Sequence, residues 1–261
     1  MASIHPTAII GEDVQLGVGV FVGPYAVIED HVKIGDGCSV GAHALIHSYV
    51  SMGRENKIYP FCDIGGEPQD IKFENKESWV VMGDRNLIRE YATIHRSSNA
   101  GGKTVLGNDN FLMGHAHIGH DCQVGDHVVM VNFTALGGYV TVEDRAFISA
   151  SCLVHQFCKI GTLVMLGGAS HITQDVIPYT LVGGYPPRIF GLNIVGLRRA
   201  GFDRETRSTL KEALSVIRKS SSREEMLKTL EGLGPEKCPE LAHLIAFINK
   251  SERGLLLKEN G

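Results

Sequence analysis

The residues with the clearest capacity for chemistry lie in one run, 114–122, which reads GHAHIGHDC. It contains His115, His117 and His120, and an aspartate follows the last of them. Histidine is the usual general base near neutral pH, and imidazoles are also common zinc ligands. The run therefore predicts a proton-transfer site centred on His120, with a zinc site made by the three histidines as the alternative.

This run lies inside a six-residue repeat that covers most of the chain. Aliphatic residues or methionine recur at every sixth position over 4–64 and again over 106–172 without a miss. The position two residues before each of them is small or slim, as at Ala8, Ala26 and Ala44. Such a period is neither helical nor that of a simple strand. It fits short strands joined by tight corners, three hexads per coil, so we predict a parallel β-helix with coils roughly 4.8 Å apart.

Five cysteines occupy the same small position of the hexad, where a thiol serves as a small buried apolar group. They are Cys38, Cys62, Cys122, Cys152 and Cys158. Because the chain has no CxxC pair, we interpret them as core residues and predict neither disulfides nor a metal site.

Composition narrows the class of protein. The formal net charge of -4 lacks the basic footprint of a nucleic-acid-binding protein. The first residues, 1–6, lack the features of a signal peptide, and no stretch provides about 18 uninterrupted apolar residues. We therefore expect a cytoplasmic protein without a membrane span.

The register of the repeat places Gly138 one coil after His120 and Gln156 one coil further. A glycine beside the imidazole leaves a backbone amide free to orient the base or to stabilise an oxyanion. His155 belongs to the same part of the helix. Asp121 follows His120 directly, but neighbouring strand residues point to opposite sides of a sheet, so the pattern leaves their partnership open.

Two polar segments interrupt the repeat, at 65–81 and 97–104, and we expect them to be loops that carry functional residues. The first contains the cluster Gln69, Asp70, Ile71 and Lys72, which could contact a ligand.

The chain changes character near its C-terminal quarter. Helical patterning begins after residue 190, with Asp203 as the N-cap of one helix. We predict a β-helix over 1–190 and a small helical domain over 191–261.

The hexads resemble those of the hexapeptide-repeat acyltransferases, whose coils are left-handed. Longer motifs resemble one branch of that family, the acyl-ACP:UDP-N-acetylglucosamine O-acyltransferases of lipid A biosynthesis, over essentially the whole chain. These motifs are 68–70 (PQD), 83–86 (GDRN), 93–96 (TIHR), 113–122 (MGHAHIGHDC), 154–158 (VHQFC), 174–176 (QDV), 191–193 (GLN), 198–202 (RRAGF) and 253–254 (RG). The resemblance implies a homotrimer with active sites between neighbouring subunits.

The resemblance also implies the chemistry. His120 would deprotonate the glucosamine 3-hydroxyl for direct attack on the thioester of an (R)-3-hydroxyacyl carrier protein, without a cofactor. Asp121 would support the base, and the backbone of Gly138 would hold the oxyanion. Substrate-binding positions, matched motif by motif, are Asp70, Lys72, His95, His117, His155, Gln156, Gly168, Asn193 and Arg199. Among these, Asn193 and Arg199 would contact the nucleotide, and Gly168 would leave room for the acyl chain.

Several positions depart from the common pattern of that branch, namely Tyr139, Pro186, Val195 and Ala200. They bear on the sugar and on the length of the acyl chain, so acylation of the amine of a 3-amino sugar analogue stays an alternative. Two other classes stay open, a zinc hydratase similar to γ-class carbonic anhydrase and a β-helix without catalysis.

Overall fold

The computed structural model describes residues 1–257 and shows a left-handed parallel β-helix followed by helices, which confirms the predicted fold class. Each coil contributes one short strand to each of three parallel sheets. Residues one coil apart pair directly, as Phe21 does with Ser39. Three sheets that are built this way enclose one continuous core.

The strands fall into three sheets within the described part of the chain. Sheet 1 contains Ser3–Ile4, Phe21–Val22, Ser39–Val40, Lys57–Ile58, Leu87–Ile88, Phe111–Leu112, Val129–Met130, Phe147–Ile148, Met165–Leu166, Thr180–Gly183 and Arg188–Leu192. Sheet 2 contains Ile9–Ile10, Val27–Ile28, Leu45–Ile46, Asp63–Gly66, Thr93–His95, His117–Ile118, Ala135–Leu136, Leu153–Val154 and His171–Ile172. Sheet 3 contains Gln15–Leu16, Lys33–Ile34, Val50–Met52, Trp79–Met82, Lys103–Leu106, Gln123–Val124, Thr141–Val142 and Lys159–Ile160.

The core consists of the aliphatic and small positions of the hexads. Ile118, Leu136 and Ile148 are fully buried, and the small residues stack beside them. All six cysteines are free and buried, as the repeat predicted for five of them. Burial raises the pKa of the Cys122 thiol to about 12, so this sulfur behaves as an apolar filler and not as a nucleophile.

The corners between strands repeat one backbone conformation. The third residue of the four-residue turn lies in the left-handed region, with φ of 59° at Tyr25, 62° at Asp121 and 59° at Arg145. Non-glycine residues adopt this region at a cost in backbone strain, and the hydrogen bonds between coils hold them there. Side chains at equivalent corners therefore stack from coil to coil.

The irregular segments are shorter than the pattern of hexads suggests. Sheet 2 and sheet 3 extend into the first interruption, because Asp63–Gly66 and Trp79–Met82 pair with their neighbours, and 67–78 remain as the loop. The second loop is 96–102. The last strand, Arg188–Leu192, pairs antiparallel with Thr180–Gly183 and runs across the predicted domain boundary at 190.

The helical part packs around an apolar cluster to which Leu163, Ile177 and Tyr179 at the end of the β-helix also contribute. Helix α1 spans Ile194–Arg199, α2 spans Arg204–Lys219, α3 spans Arg223–Glu231 and α4 spans Pro239–Asn249. Asp203 caps α2 as predicted, since its side chain accepts a hydrogen bond from the Thr206 amide. Within residues 1–257, no helix has the length and apolar character that crossing a membrane requires.

The segment after α4 returns to the β-helix. The amide of Asp175 donates to the carbonyl of Gly254 at 2.8 Å, and the Ser251 hydroxyl donates to the buried Asp175 carboxylate at 2.7 Å. The last residues of the described chain therefore lie beside the corner that also carries His155, where Arg253 donates to His155 Nδ1 at 3.2 Å.

Candidate active site

A cluster of imidazoles lies on the outer face of sheet 2. His117 is in the strand His117–Ile118, whose neighbour in the ladder is Thr93. The Thr93 hydroxyl contacts His117 Nδ1 at 2.7 Å. The ring of His95 meets that of His117 edge-on, with centroids 4.8 Å apart. The pairing of neighbouring strands in sheet 2 thus fixes the positions of the His95 and His117 rings.

His120 follows in the corner between sheet 2 and sheet 3. Its Nδ1–H donates to the carboxylate of Asp121 at 2.8 Å. Their side chains meet because Asp121 is not a strand residue; its φ of 62° swings the carboxylate back toward the preceding side chain. Side-chain exposure is 14% for His120 and 9% for Asp121, so the pair is shielded from water, and Nε2 of the imidazole carries the free lone pair.

Gly138 lies directly above His120 on the next coil, as the register predicted. A Cβ at this position would stand 2.5 Å from Cε1 and 2.6 Å from Nε2 of the imidazole, and no side chain could be accommodated. Within residues 1–257 the Gly138 amide donates no hydrogen bond. The site therefore combines a nitrogen base with an adjacent free N–H donor.

A groove of about 390 Å³ opens over these residues. The sequence singled out all the residues of its polar lining, which are His95, His117, His120, Gly138, His155, Gln156 and Gln69. Leu153 and Val154 provide an apolar wall. A groove with convergent polar groups and an apolar side suits a ligand with a polar head and an acyl chain.

The imidazoles of the groove differ in their electrostatics. Burial is the main cause that lowers the pKa of His117 to about 4, and the neighbouring His95 and His120 lower it further. Burial also lowers the pKa of His95. Both rings are therefore neutral at physiological pH, and they act as hydrogen-bonding groups.

Asp121 stays ionised despite its shielding. Burial by itself raises the pKa of this carboxyl, but hydrogen bonds from Ser97, Ser98 and His120 outweigh burial, so the pKa lies below its ordinary value. A stable carboxylate beside Nδ1 stabilises the imidazolium that forms when His120 takes up a proton.

Other predicted site residues lie outside the groove of their own chain. Asp70 and Lys72 are in the loop 67–78, where the Lys72 amide donates to the Asp70 carboxylate at 2.9 Å. Asn193 caps α1 and donates to the Leu163 carbonyl at 2.9 Å, at the corner between sheet 3 and sheet 1. Arg199 is exposed in the last turn of α1.

Gly168 also lies apart from the groove, at the corner between sheet 1 and sheet 2. A Cβ there would find its nearest neighbour, the Ala150 carbonyl, at 3.5 Å, which is ordinary van der Waals contact. The space beside Gly168 is therefore open toward the surface.

Gln69, from the cluster 69–72 that the sequence singled out, lines the groove. One set of contacts was missed from the sequence. Ser98 and Asn99 donate to Asp121; their signal was the interruption of the repeat itself, which did not show where the loop folds.

The predicted zinc alternative finds no matching geometry in the described residues. His115 stacks between Tyr91 and Phe133 at the other end of the strand, with centroids 4.9 and 4.8 Å apart. It therefore does not approach His117 and His120. Within residues 1–257 no three histidine, cysteine or acidic side chains converge as metal ligands would.

Two family models match the sequence. A model described as UDP-N-acetylglucosamine O-acyltransferase, domain 2, matches residues 175–256. A model described as bacterial transferase hexapeptide (six repeats) matches residues 15–48. The first covers the end of the β-helix together with the helices, and the second covers hexads near the N-terminus.

Curated relatives match along nearly their whole length. The acyl-[acyl-carrier-protein]–UDP-N-acetylglucosamine O-acyltransferase of Alkalilimnicola ehrlichii is 45% identical over 258 residues, which cover 98% of this chain and 100% of that protein. The protein of the same name from Synechocystis is 42% identical over 250 residues, which cover 95% of this chain and 90% of that protein.

Solved structures show the same architecture. The UDP-N-acetylglucosamine acyltransferase of Francisella novicida has a TM-score of 0.96 at 32% identity and covers 98% of this chain and 95% of its own. LpxA from Acinetobacter baumannii has a TM-score of 0.94 at 36% identity, with 97% and 99% covered. The likeness extends through both the coils and the helices.

The low pKa of His117 leads to a prediction about acid stability. The unfolded chain binds a proton at His117 below about pH 6.5, whereas the folded chain does so only near its lowered pKa of about 4. Acidification through this window therefore favours unfolding. We expect His117→Gln to lose less thermal stability between pH 7 and pH 5 than the native chain, as measured by calorimetry. Equal losses in the two proteins would contradict the prediction.

Proposed function

This chain belongs to the family of acyl-ACP:UDP-N-acetylglucosamine O-acyltransferases, and on that premise we propose that His120 is the general base of its reaction. The enzyme transfers an acyl chain from acyl carrier protein to UDP-N-acetylglucosamine in lipid A biosynthesis. One observation carries the proposal: His120 is bound at Nδ1 by Asp121, and its Nε2 faces Gly138 inside the groove.

The reaction begins with proton transfer. Because Nδ1–H donates to Asp121, Nε2 is free to accept the proton of the sugar 3-hydroxyl as its oxygen attacks the thioester carbonyl. The C–O bond forms, and the carbonyl π electrons move onto oxygen. The positive charge on His120 is stabilised by the Asp121 carboxylate.

The tetrahedral intermediate then collapses. Its oxyanion accepts a hydrogen bond from the free amide of Gly138, a donor that is fixed before the reaction and costs no reorganisation. When the carbon–sulfur bond breaks, the imidazolium returns its proton to the leaving thiolate. The products are the sugar ester and the thiol of the carrier, and the acyl chain never binds covalently to the enzyme.

The neutral groups around the base would orient the substrates. We propose that His95, His117 and Gln156 hydrogen-bond the sugar, with His155 beside them at the rim. Asp70 and Lys72 would contact the same ligand from the loop 67–78. The donor is a 3-hydroxyacyl chain in this proposal, and Leu153 offers an apolar surface to it.

We further propose that the active enzyme is a homotrimer. Exposed apolar residues cover sheet 1, sheet 2 and the corner they share: Phe21, Tyr25, Phe61, Tyr91, Phe133, Phe147 and Leu153. At that corner six rings from Tyr25 to Phe133 stack in one row, with centroids 4.8 to 5.1 Å apart. Sheet 3 exposes polar residues such as Lys33 and Gln123 instead. Apolar patches of this extent indicate an interface.

A trimer would also explain the residues outside the groove. Suppose that sheet 1 of one copy packs on sheet 2 of a second copy. The corner between sheet 3 and sheet 1 of the first copy then lies close to the groove of the second copy. Asn193 and Arg199 belong to that corner. A guanidinium there suits the diphosphate of the nucleotide by charge and by its planar fork.

The carrier protein is acidic, and exposed basic residues near α1 and α2 offer it a docking surface. Arg198 and Arg204 are exposed at the ends of these helices, and such charges speed encounter with an oppositely charged partner. We place the reaction in the cytoplasm, because six free cysteines fit a reducing compartment.

The first prediction concerns the base. We expect His120→Ala to lower kcat by about 10²–10⁴-fold, the usual contribution of general base catalysis, while chelator leaves transfer by the native enzyme unchanged. The measurement is acyl transfer from a panel of 3-hydroxyacyl carrier proteins to UDP-N-acetylglucosamine and to its 3-amino analogue. Preferred transfer to the analogue would assign the amine as acceptor instead of the hydroxyl.

The matched control is His5→Ala, which removes an exposed histidine on the first coil and should leave transfer as in the native enzyme. Undiminished transfer by His120→Ala would overturn the general-base role. Loss of transfer on chelation would support the zinc alternative.

The second prediction concerns chain length. Because a Cβ at Gly168 would meet no atom closer than 3.5 Å, we expect Gly168→Leu to fold normally and to project into the space proposed for the acyl tail. We expect the preferred donor to become shorter by several carbons, since each methylene excluded from an apolar site forfeits about 0.8 kcal/mol of binding. Steady-state kcat/KM across acyl lengths measures the change, and an unaltered preference would contradict it.

The third prediction concerns assembly. Phe133 is 58% exposed and ends the row of stacked rings, so Phe133→Glu should prevent the trimer from forming without disturbing the core. Light scattering is expected to show a molar mass one third of the native value, together with loss of transfer. Lys33→Glu, a change at an exposed residue of sheet 3, should keep the native mass. A native chain that is already monomeric would refute the proposed assembly.

A further inference from the structure

The loop 96–102 folds directly against the Asp121 carboxylate. The Ser98 amide and hydroxyl donate to its Oδ2 at 2.9 and 2.8 Å, and the Asn99 side-chain amide donates to its Oδ1 at 3.1 Å. The hydroxyl of Ser97, which is fully buried, also donates to Oδ1. The carboxylate thus accepts four hydrogen bonds from the loop in addition to the one from His120, and Ser98 shares Oδ2 with His120.

Tyr139 connects this loop to the imidazole. Its hydroxyl lies 3.0 Å from the Ser98 hydroxyl and accepts a hydrogen bond from the Asn99 amide at 2.9 Å. Its ring meets the ring of His120 edge-on at 5.3 Å and stacks on Phe157 at 4.8 Å. Tyr139 therefore contacts both the loop 96–102, which binds the Asp121 carboxylate, and the imidazole of His120, which is hydrogen-bonded to that carboxylate.

We propose that Ser98, Asn99 and Tyr139 are positioning residues, which fix the Asp121 carboxylate and thereby aim Nε2 of His120 at the sugar hydroxyl. This inference rests on the proposed role of His120 as the general base. An ionised carboxylate has about four acceptor sites. The loop supplies four donors and His120 a fifth, so every acceptor site is occupied and the carboxylate cannot turn away from Nδ1. The plane of the imidazole is then set by its partner.

The serines of the loop have separable roles. The Ser97 hydroxyl also accepts a hydrogen bond from the backbone amide of Asn99 at 3.0 Å, so it holds the loop itself together. The Ser98 hydroxyl contacts Asp121 and Tyr139 and, within residues 1–257, no other hydrogen-bonding group. Ser98→Ala therefore removes the positioning contact of the hydroxyl and leaves in place the hydrogen bond from the Ser98 backbone amide to Asp121.

The test measures kcat and KM for acyl transfer from pH 4 to pH 9 with the full-length enzyme. Ser98→Ala should lower kcat about tenfold, with KM changed by less than about twofold, because the contact orders the base and does not bind substrate. Ser98→Thr keeps the hydroxyl and should recover most of the rate. Tyr139→Phe should lower kcat about threefold.

The pH profile gives a readout that a merely structural role would not move. His120 is the titratable side chain that contacts Asp121 among the described residues, and Tyr139 faces it through Ser98 and Asn99. Removing the Ser98 hydroxyl leaves the Asp121 carboxylate with one hydrogen bond fewer, so it accepts more strongly from Nδ1–H of a protonated His120. Protonation of the base then competes with catalysis at higher pH, and the acid limb of the kcat profile should shift to higher pH in Ser98→Ala.

Coupling provides a second readout. Ser98→Ala combined with Tyr139→Phe should lower kcat by less than the product of the single effects, since both act through the same carboxylate. In the His120→Ala background, Ser98→Ala should cause no further loss. The matched controls are Ser51→Ala on sheet 3 and Tyr59→Phe, whose hydroxyls make no hydrogen bond within the described chain; both should behave as the native enzyme.

The two hypotheses fail differently. Transfer that survives His120→Ala overturns the proposed base and with it the positioning role. In a second outcome, His120→Ala loses transfer, but Ser98→Ala keeps the kcat and the acid limb of the native enzyme. This outcome overturns the positioning role alone. A rate loss in Ser98→Ala that leaves the acid limb in place and persists in the His120→Ala background assigns Ser98 to loop stability and also overturns the proposal.

Discussion

The hydrogen bonds between successive coils set the constraint on which the rest of the structure depends. They run from residue to residue along the helix, as in the amide of Gly119 to the carbonyl of Leu136 and the amide of Gly137 to the carbonyl of Val154, both at 2.9 Å. They hold equivalent side chains on adjacent coils roughly 4.8 Å apart. At that distance, outward side chains must be flat enough to stack or must alternate with glycine. The aromatic row and the Gly138–His120 contact are two solutions to the same restriction.

The active site lies where the ladder is interrupted. Thr93 pairs with His117 across 24 residues, whereas most pairs are 18 apart, and the extra length forms the loop 96–102. A regular coil satisfies its backbone groups within the ladder and leaves few free donors. The interruption provides the donors that keep Asp121 ionised in a shielded corner, while the coils on either side keep His120 and Gly138 in fixed register. The regular coils make the site rigid, and the loop 96–102 supplies its polar groups.

The sequence predicted well what the repeat determines. A hexad leaves one inward volume for an aliphatic residue and one for a small residue, so the core, the sheets and the buried cysteines follow from the period. The same arithmetic placed Gly138 beside His120. The contact between His120 and Asp121 was left open because strand alternation separates neighbouring side chains, and that rule does not hold at a left-handed corner. Whether a corner or a strand is present depends on register and not on residue type.

The parts that could not be predicted depend on how segments distant in sequence pack. Of the cluster 69–72, Gln69 lines the groove whereas Asp70 and Lys72 do not, because the path of the loop 67–78 decides this and its composition does not specify that path. Trp79 and Val80 pair in sheet 3 although they stand in a segment without hexad spacing. Motifs that match a family indicate a role for Asn193 and Arg199, yet they do not indicate which copy of the chain uses them. These outcomes are set by tertiary and quaternary contacts, on which local patterns carry no information.

The environments of the histidines divide their roles. His95 and His117 are shielded from water and have no hydrogen-bonded carboxylate, so they stay neutral. Among the imidazoles of the groove in the described chain, His120 is the one that is hydrogen-bonded to a carboxylate. When His120 takes up the proton of the sugar, the new positive charge faces Asp121 on one side and uncharged rings on the other. A protonated His117 would oppose that charge. Because His117 stays neutral, it does not repel a proton on His120, and one groove can hold several histidines of which one acts as the base.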